Sequence, residues 1–295
     1  MLSLKNATLT GQNTPGTSNL ATLALELAMI TTITSSQDPR LDPLRLNERQ
    51  LTTIAQRRST IAAGRFIAEG DLVVARALDA GYKPEVVLCD AEQAERLHLQ
   101  VSELGGQCLT AEIEIRREAT GLGVPLSALG VFYRPEPQTV DQVISHAQRI
   151  IVVEAVDNPS NIGAIVRCAT GLGWDGLICD TTSADPLSRR GLRVSMGSAF
   201  NLNFARTTDI VATLKTLQAH SFKVFALTPD NNSIDIAQVE IAPTQKRAII
   251  FGSERAGLSE QTLACADARV KIAMNPNVDS LNVAAAAAIS CYALR

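Results

Sequence analysis

The chain has 295 residues, of which 46% are hydrophobic and 19% are charged, and its net charge is −3 at neutral pH. A chain of this length can bury a sizeable core, and its size predicts two domains. The slightly negative charge argues against a generally basic surface for nucleic acid, but it leaves room for a local basic patch. Because no apolar run reaches the ~18 residues that span a bilayer, the sequence does not predict a membrane-spanning helix.

The cysteines and histidines do not form a recognisable metal or redox motif. Six cysteines occur without a C-x-x-C pair, which is typical of reduced core thiols in a cytoplasmic protein. The histidines, His98, His146 and His220, do not cluster with acids or cysteines. We therefore expect a cytoplasmic protein that holds no metal.

The first 37 residues are rich in threonine, serine, asparagine and glycine, and we expect them to form a poorly ordered tail. Within this tail, Leu20 to Ile30 is apolar enough for a weak helix, but it lacks the basic flank and the cleavage site of a signal peptide. Met29 is an alternative candidate for the first residue, which an N-terminal mass measurement would test.

Residues 38–137 alternate helix and strand patterns, and they predict a small α/β domain. The stretch from Arg65 to Asp90 indicates a strand, an acid-glycine turn, an amphipathic helix and a second strand. The arginines before it fit either a solvated helix face or a stripe that contacts phosphates. They are Arg45, Arg49, Arg57 and Arg58.

A polar stretch with two prolines, Arg134 to Gln142, indicates a linker, which we place at residues 138–149. From residue 150 to the end, apolar strands alternate with helices. Strands of this kind, apolar throughout, predict a parallel sheet that is covered by helices on both faces.

The first polar motif of this second domain is NPSNIGAIVR, from Asn158 to Arg167. It follows a buried strand, and Asn161 is placed to cap the helix after it. The helical period puts Ile162, Ile165, Val166 and Ala169 on one apolar stripe. Arg167 falls off that stripe, so it is either a solvated arginine or a ligand-binding one at the carboxyl edge of the sheet.

Two further motifs lie near the C-terminus. GSERAG, residues 252–257, sets Glu254 between glycines after the buried strand Ala248 to Phe251, which alone indicates only a turn. The SLN triplet at residues 280–282 precedes an alanine-rich helix from Val283 to Leu294, with Asp279 or Ser280 as the expected N-cap. Together, two strand exits and one helix start predict a single pocket that is built largely from main-chain groups.

The sequence lacks the motifs of several common enzyme classes. No Ser–His or Cys–His nucleophile arrangement is visible. There is no G-x-x-x-x-G-K-[ST] loop, and no G-x-G-x-x-G follows a strand. Nucleotide hydrolysis and nicotinamide-dependent oxidoreduction therefore lack support.

The segments NPSNIGAIVRCA, FGSERAGLS and IAMNPNVDSLNVAAAAAI together resemble the three ordered motifs of the SpoU, or TrmH-type, RNA 2′-O-ribose methyltransferases of the SPOUT superfamily. Residues 38–137 resemble, more diffusely, the ribosomal-protein-like domain that often binds the RNA substrate in this family. The resemblance implies an α/β fold whose residues 150–295 form a parallel sheet with a trefoil knot. It also implies S-adenosyl-L-methionine as the methyl donor, a homodimer, and a ribosomal or transfer RNA as substrate.

The resemblance also implies roles for individual residues. The cofactor-binding residues would be Leu227, Thr228, Gly252, Ile272, Met274 and Leu281. The RNA-facing catalytic residues would be Asn161, Arg167, Glu254, Ser280 and Asn282. Because an arginine stays protonated, we expect Arg167 to polarise the ribose 2′-hydroxyl and hold the adjacent phosphate rather than act as a base, with Glu254 orienting it.

Three positions depart from the family's pattern. Ala273 replaces the usual proline before the third-motif methionine, and Pro276 replaces the usual glycine after it. Ala284 stands where the family often has serine. The spacing from Ile272 to Leu281 still fits, so the cofactor assignment stands, with a loop whose shape can differ.

A different class of protein remains as the alternative, namely a non-catalytic RNA-binding factor for ribosome assembly on the same fold. The intact Arg167, Glu254 and Asn282 favour the enzyme. Binding of S-adenosylmethionine distinguishes the two hypotheses. The sequence does not indicate which RNA or which nucleotide is methylated.

Overall fold

The computed structural model describes residues 29–53, 55–56, 64–120, 123–275, 277–278 and 280–295. Our predictions for residues 1–28, Arg57, Arg58, Pro276 and Asp279 lie outside these described residues.

Twelve strands and eleven α-helices occur in the described parts of the chain. In chain order the strands are β1 Thr31–Ile33, β2 Arg65–Glu69, β3 Pro84–Cys89, β4 Gln107–Ala111, β5 Ala128–Tyr133, β6 Arg149–Val153, β7 Gly176–Asp180, β8 Asn203–Thr207, β9 Lys223–Leu227, β10 Ile234–Asp235, β11 Arg247–Phe251 and β12 Ala268–Lys271. The α-helices are α1 Asp42–Arg45, α2 Glu48–Leu51, α3 Asp71–Asp79, α4 Ala91–Glu103, α5 Ile113–Thr120, α6 Val140–His146, α7 Pro159–Gly171, α8 Arg189–Ser195, α9 Ile210–Ala219, α10 Glu260–Cys265 and α11 Val283–Ala293.

The N-terminal unit is built on a mixed five-stranded sheet in the order β1-β4-β3-β5-β2. Strand β5 runs antiparallel to both of its neighbours, whereas β1, β4 and β3 are parallel. The expected poorly ordered tail is wrong where it can be compared, because residues 31–33 form an edge strand and Ile33 is buried. Two threonines and an isoleucine favour a strand, since β-branched residues suit a half-buried pleated surface.

The arginine-bearing stretch after residue 38 forms two four-residue helices, α1 and α2, before Thr52. Arg45 is engaged locally, because it pairs with Asp42 at 2.5 Å. Arg49 is exposed. The described part of this stretch therefore lacks a continuous basic stripe.

The predicted linker at residues 138–149 is largely a helix, so that prediction is wrong. Thr139 and Gln142 form a capping box that starts α6, and Val143 and Ile144 are fully buried against the second sheet. Gln138 accepts a hydrogen bond from the Phe204 amide at 2.9 Å. The prolines before it suggested a loop, but the apolar pair inside the helix decides the packing.

The second unit is a seven-stranded sheet in the order β10-β12-β9-β11-β6-β7-β8, and all of its strand pairs are parallel. Alternate residues of β6 enter different cores: Ile151 and Val153 pack with α7, whereas Ile150 and Val152 pack with α6 and α9. The predicted α/β fold with a parallel sheet covered on both faces is confirmed.

The two units are joined by a charged contact and by shared core residues. Glu69, at the end of β2, is buried and accepts hydrogen bonds from Arg189 and Arg193 of α8. Next to it, Arg76 donates to the Met196 carbonyl at 2.6 Å. Because α8 packs closely on α7, this contact links the N-terminal sheet to the helix that carries the first motif.

Candidate functional site

The first wall of the site is the start of α7. The helix begins at Pro159, and the Asn158 side chain caps it by accepting from the Ser160 amide at 2.9 Å. A proline in the first turn suits this start because its missing N–H would be unpaired there. The prediction that Asn161 is the cap is therefore wrong. Asn161 lies inside the first turn, where its side-chain amide does not cap the helix and can bond to another residue.

The loop before α7 is held in place by the carboxylate of Asp180. Ala155 has a positive φ of 56°, and its amide donates to Asp180 at 3.1 Å. Burial raises the pKa of Asp180, but hydrogen bonds from Ser183, Thr182 and the Ala155 amide outweigh it and hold the pKa below its usual value. An ionised Asp180 thus fixes the approach of the chain to the site.

The second wall is the loop at residues 252–257. A Cβ on Gly252 would lie 2.3 Å from the carbonyl carbon of Gly257, so the loop closes on itself only with glycine there. Gly257 has a φ of +67° and donates to the Ser253 carbonyl at 3.0 Å. This tight loop carries Glu254 on its outer edge.

The third wall is the segment before α11. The Asn282 side chain accepts from the Ala284 amide at 2.9 Å and is the helix cap, so the expected cap at Asp279 or Ser280 is replaced. Trp174, which is buried beyond the end of α7, donates to the Cys291 carbonyl at 3.0 Å and ties α11 to the core. The segment at residues 280–282 therefore leads directly into a helix that is anchored to the core.

Three of the predicted catalytic residues meet at one point. Asn161 donates its side-chain amide to Glu254. Asn282 donates to the same carboxylate oxygen at 3.1 Å and approaches the Asn161 side-chain oxygen at 3.4 Å. We refer to Asn161, Glu254 and Asn282 as the polar cluster. It connects the three motifs across more than 100 residues of sequence.

A cavity of about 830 Å³ opens beside the polar cluster. Ser280, Glu254 and Asn282 lie on its wall. All the residues predicted to bind the cofactor line it: Leu227, Thr228, Gly252, Ile272, Met274 and Leu281. A volume of this size is within the range of small-molecule sites, ~300–1,000 Å³.

Arg167 is the one predicted catalytic residue that stands apart. It is exposed on α7 and contributes neither to the cavity wall nor to the polar cluster. The apolar stripe of α7 is buried as predicted, which turns Arg167 outward. In a single chain its guanidinium therefore does not complete the site.

The cavity suits an adenosyl sulfonium donor. Leu227, Ile272 and Leu281 offer an apolar surface for a purine and its ribose. Glu254 and Asp230 supply carboxylates that suit the positive charge of the donor. Asp230 itself faces Arg269 at 3.5 Å across the rim. The residues present are thus compatible with S-adenosylmethionine.

Two polar contacts near the site had no signal in the sequence. Glu154 accepts from the Thr262 hydroxyl at 3.1 Å and from the Ser259 amide at 3.2 Å, so it joins the strand β6 to α10. Arg190 donates its Nε to the Ser160 hydroxyl, next to Asn161. Both are single charged residues in unremarkable surroundings, and only the fold brings them to the site.

Other reactive groups are sparse in the described parts of the chain. No three histidine, cysteine or acidic side chains there are grouped to hold a metal. All six cysteines are described and are free thiols. Burial raises the pKa of Cys168, although the neighbouring Arg167 lowers it in part. No helix among these residues is both long and apolar enough to cross a membrane.

The sequence of the chain was compared with those of known proteins and protein families. Residues 148–292 match the SpoU rRNA Methylase family. An uncharacterized tRNA/rRNA methyltransferase of Mycobacterium bovis is 36% identical over 259 residues, which cover 86% of this chain and 88% of that protein. The chain belongs to the SpoU rRNA methylase family. SpoU methylases use S-adenosylmethionine, so the predicted cofactor is confirmed.

Two further proteins extend the comparison. The 23S rRNA (guanosine(2553)-2′-O)-methyltransferase RlmP of Bacillus subtilis is 27% identical over 231 residues, which cover 78% of this chain and 88% of RlmP. A crystal structure of an rRNA methyltransferase from Sinorhizobium meliloti, with AdoMet bound, is 24% identical. It covers 90% of this chain and 97% of that one with a TM-score of 0.76, which supports the fold of both units.

Proposed function

We propose that this SpoU methylase transfers a methyl group to a ribose 2′-hydroxyl in structured ribosomal or transfer RNA. The observation that carries the proposal is the polar cluster beside the cavity that the predicted cofactor-binding residues line. The printed activity of RlmP, a 2′-O-methyltransferase of 23S rRNA, supports the ribose as acceptor.

The polar cluster would position the acceptor. A ribose hydroxyl is a weak nucleophile at neutral pH, so catalysis depends mainly on holding the hydroxyl oxygen in line with the carbon that it attacks. S-adenosylmethionine would supply that carbon as a sulfonium-bound methyl group. Asn161 and Asn282 fix the Glu254 carboxylate, which can then accept a hydrogen bond from the ribose.

Arg167 is proposed to complete the site across a homodimer. Ile289 and Tyr292 of α11 are 41% and 58% exposed, and α11 packs on α7, which carries Arg167. Exposed apolar side chains of this kind mark a surface that another protein covers. A second copy on this face would bring one subunit's Arg167 towards the polar cluster of the other. There its guanidinium would polarise the hydroxyl and hold the adjacent phosphate.

The remaining architecture follows the family as a proposal. The N-terminal unit, residues 38–137 with the added strand β1, would bind the RNA substrate. Residues 150–295 would contain the trefoil knot of the family, with the C-terminal part of the chain threaded through it. The protein would act in the cytoplasm, where these RNAs are available.

The test uses methyl-tritiated S-adenosylmethionine with unmodified transcripts of 23S rRNA and of transfer RNAs. A 2′-O-methyl group blocks alkaline cleavage of the neighbouring phosphodiester, so ribose methylation leaves the label in alkali-resistant dinucleotides. We expect the label there. Label in mononucleotides would mean base methylation and would contradict the ribose assignment. Absence of label, together with RNA binding but no binding of S-adenosylmethionine, would favour a non-catalytic RNA-binding factor.

The proposed role of Arg167 is tested separately with an alanine variant. Arg167→Ala should abolish turnover and leave the affinity for S-adenosylmethionine nearly unchanged, since the residue lies outside the cavity. The matched control is Lys215→Ala, which removes one exposed positive charge from α9 on the other face of the sheet. Unchanged methylation by the Arg167 variant would remove it from the mechanism.

A further inference from the structure

Helix α8 carries three arginines, of which two share one partner and the third has another. Arg189 and Arg193 both point at Glu69 of the N-terminal unit. Arg190 is exposed and donates its Nε to the Ser160 hydroxyl in the first turn of α7. Two of the three cations thus join the units, while the third bonds to Ser160, the residue before Asn161 of the polar cluster.

Arg190 is held firmly relative to the site. Helices α7 and α8 touch through two glycines, since a Cβ on Gly163 would lie 2.5 Å from the carbonyl oxygen of Gly191. Gly191 follows Arg190 directly, and Gly163 lies two residues after Asn161. Backbones in such close contact leave little freedom for one helix to slide on the other. The backbone at Arg190 therefore keeps a fixed position relative to Asn161, and the hydrogen bond to Ser160 orients the guanidinium.

The polar cluster needs a cation that it does not itself contain. Its groups are two amides and the Glu254 carboxylate, which would repel an RNA phosphate. Ser160 and Arg167 lie seven residues apart on α7 and so share one face, with about 10 Å between them along the axis. Arg190 at Ser160 and Arg167 further on thus place two guanidinium groups along this face of α7.

We propose that Arg190 binds a backbone phosphate of the RNA substrate next to the ribose that is methylated. With Nε engaged by Ser160, the two terminal nitrogens present the paired donors that a phosphate accepts. Ser160 sets the orientation of the guanidinium, and α8 sets its position. This proposal rests on the proposed function, because it takes RNA as the substrate.

The test measures RNA binding and its salt dependence. An unmodified 23S rRNA transcript is titrated with the full-length protein at several KCl concentrations. Each lost phosphate contact lowers the slope of log K against log salt by ~0.7–0.9. We expect Arg190→Ala to bind about tenfold more weakly at low salt and to lose a slope of about this size. Arg190→Lys should restore the slope, because it restores the charge.

Two controls separate phosphate binding from a structural role. Ser160→Ala keeps the charge and should keep the salt slope, with a smaller loss of affinity. Lys215→Ala removes a distant charge and should change neither affinity nor slope. Binding of S-adenosylmethionine should be the same in all variants, which shows that the site is folded.

The outcomes are distinguishable from those of the proposed function. Equal RNA affinity and equal salt slope for the wild type and Arg190→Ala would overturn the role of Arg190, even if the wild type methylates RNA. A loss in Arg190→Lys as large as in Arg190→Ala, with normal cofactor binding, would also overturn it. Conversely, if the salt slopes of the wild type and Arg190→Ala differ as expected but the wild type transfers no methyl group, the proposed function is overturned and Arg190 remains a phosphate-binding residue of an RNA-binding protein.

Discussion

Gly252 determines the shape of the cavity beside the polar cluster, because a side chain there would collide with Gly257. In Gly252→Ala the new methyl group would displace the backbone at Gly257 and with it Glu254. We expect calorimetric titration to show at least about tenfold weaker binding of S-adenosylmethionine, equivalent to ~1.4 kcal/mol. Gly171→Ala is the control, because a Cβ there meets no atom within 4 Å. Equal affinity in wild type and Gly252→Ala would contradict the described loop.

Asp180 gives the stability a specific pH dependence. Its pKa is lowered in the folded protein, so the ionised form stabilises the fold above the unfolded value of about 3.9, and the contribution is lost as the pH falls through the folded pKa. Urea unfolding should therefore show a steeper loss of stability below about pH 4 in the wild type than in Asp180→Asn. Parallel curves for the two proteins would mean that Asp180 is not held ionised.

The residue scale also shows what sequence can predict. Six residues could be expected to bind the cofactor because the motifs resemble those of the SpoU family, and all six line one cavity. The capping residue of α7 could not be predicted, since Asn158 and Asn161 are equally good capping residues. The structure decides between them, because Asn161 finds Glu254, a residue 93 positions away.

At the scale of elements, Glu69 is the main polar contact between the units. Glu69→Gln leaves Arg189 and Arg193 without their carboxylate, and it should lower the free energy of unfolding by roughly 1–3 kcal/mol. Glu85→Gln is the matched control, because Glu85 and its partner Arg65 are each about one-quarter exposed. Such a pair contributes about 0–1 kcal/mol. Equal losses in urea unfolding of the two variants would contradict a special role for Glu69.

The elements themselves were predictable where apolar patterns are strong. The predicted strand Ala248 to Phe251 and the predicted helix Val283 to Leu294 each differ from β11 and α11 by one residue at one end. The helix α6 was missed because its seven residues follow two prolines and hold only one buried apolar pair. Strand β1 was missed because three residues carry too little pattern to stand out from a polar tail.

At the scale of the whole molecule, the proposed homodimer can be tested through the apolar face of α11. Ile289→Glu places a charge in that face and should convert a dimer to monomers of 31.5 kDa in light-scattering chromatography. RNA methylation should be lost, while S-adenosylmethionine should still bind. Leu99→Glu is the control, because Leu99 is 61% exposed on α4 of the N-terminal unit. A wild type that elutes as a monomer would contradict the dimer.

The family and the cofactor could be inferred because three ordered motifs resemble those of the SpoU methyltransferases, and the parallel sheet because its strands are apolar throughout. The contact between the two units could not be inferred, since Glu69, Arg189 and Arg193 are ordinary charges until the fold places them together. The position of Arg190 beside α7 could not be inferred either, because it depends on the close approach of Gly163 and Gly191.

A crystal structure of the protein with S-adenosylmethionine tests the central claim most directly. The account predicts the donor in the cavity between Leu227, Gly252 and Leu281, with its methyl group towards the polar cluster and the partner subunit's Arg167 nearby. Donor density at any other place, or an Arg167 that faces bulk solvent in the assembled protein, would contradict it.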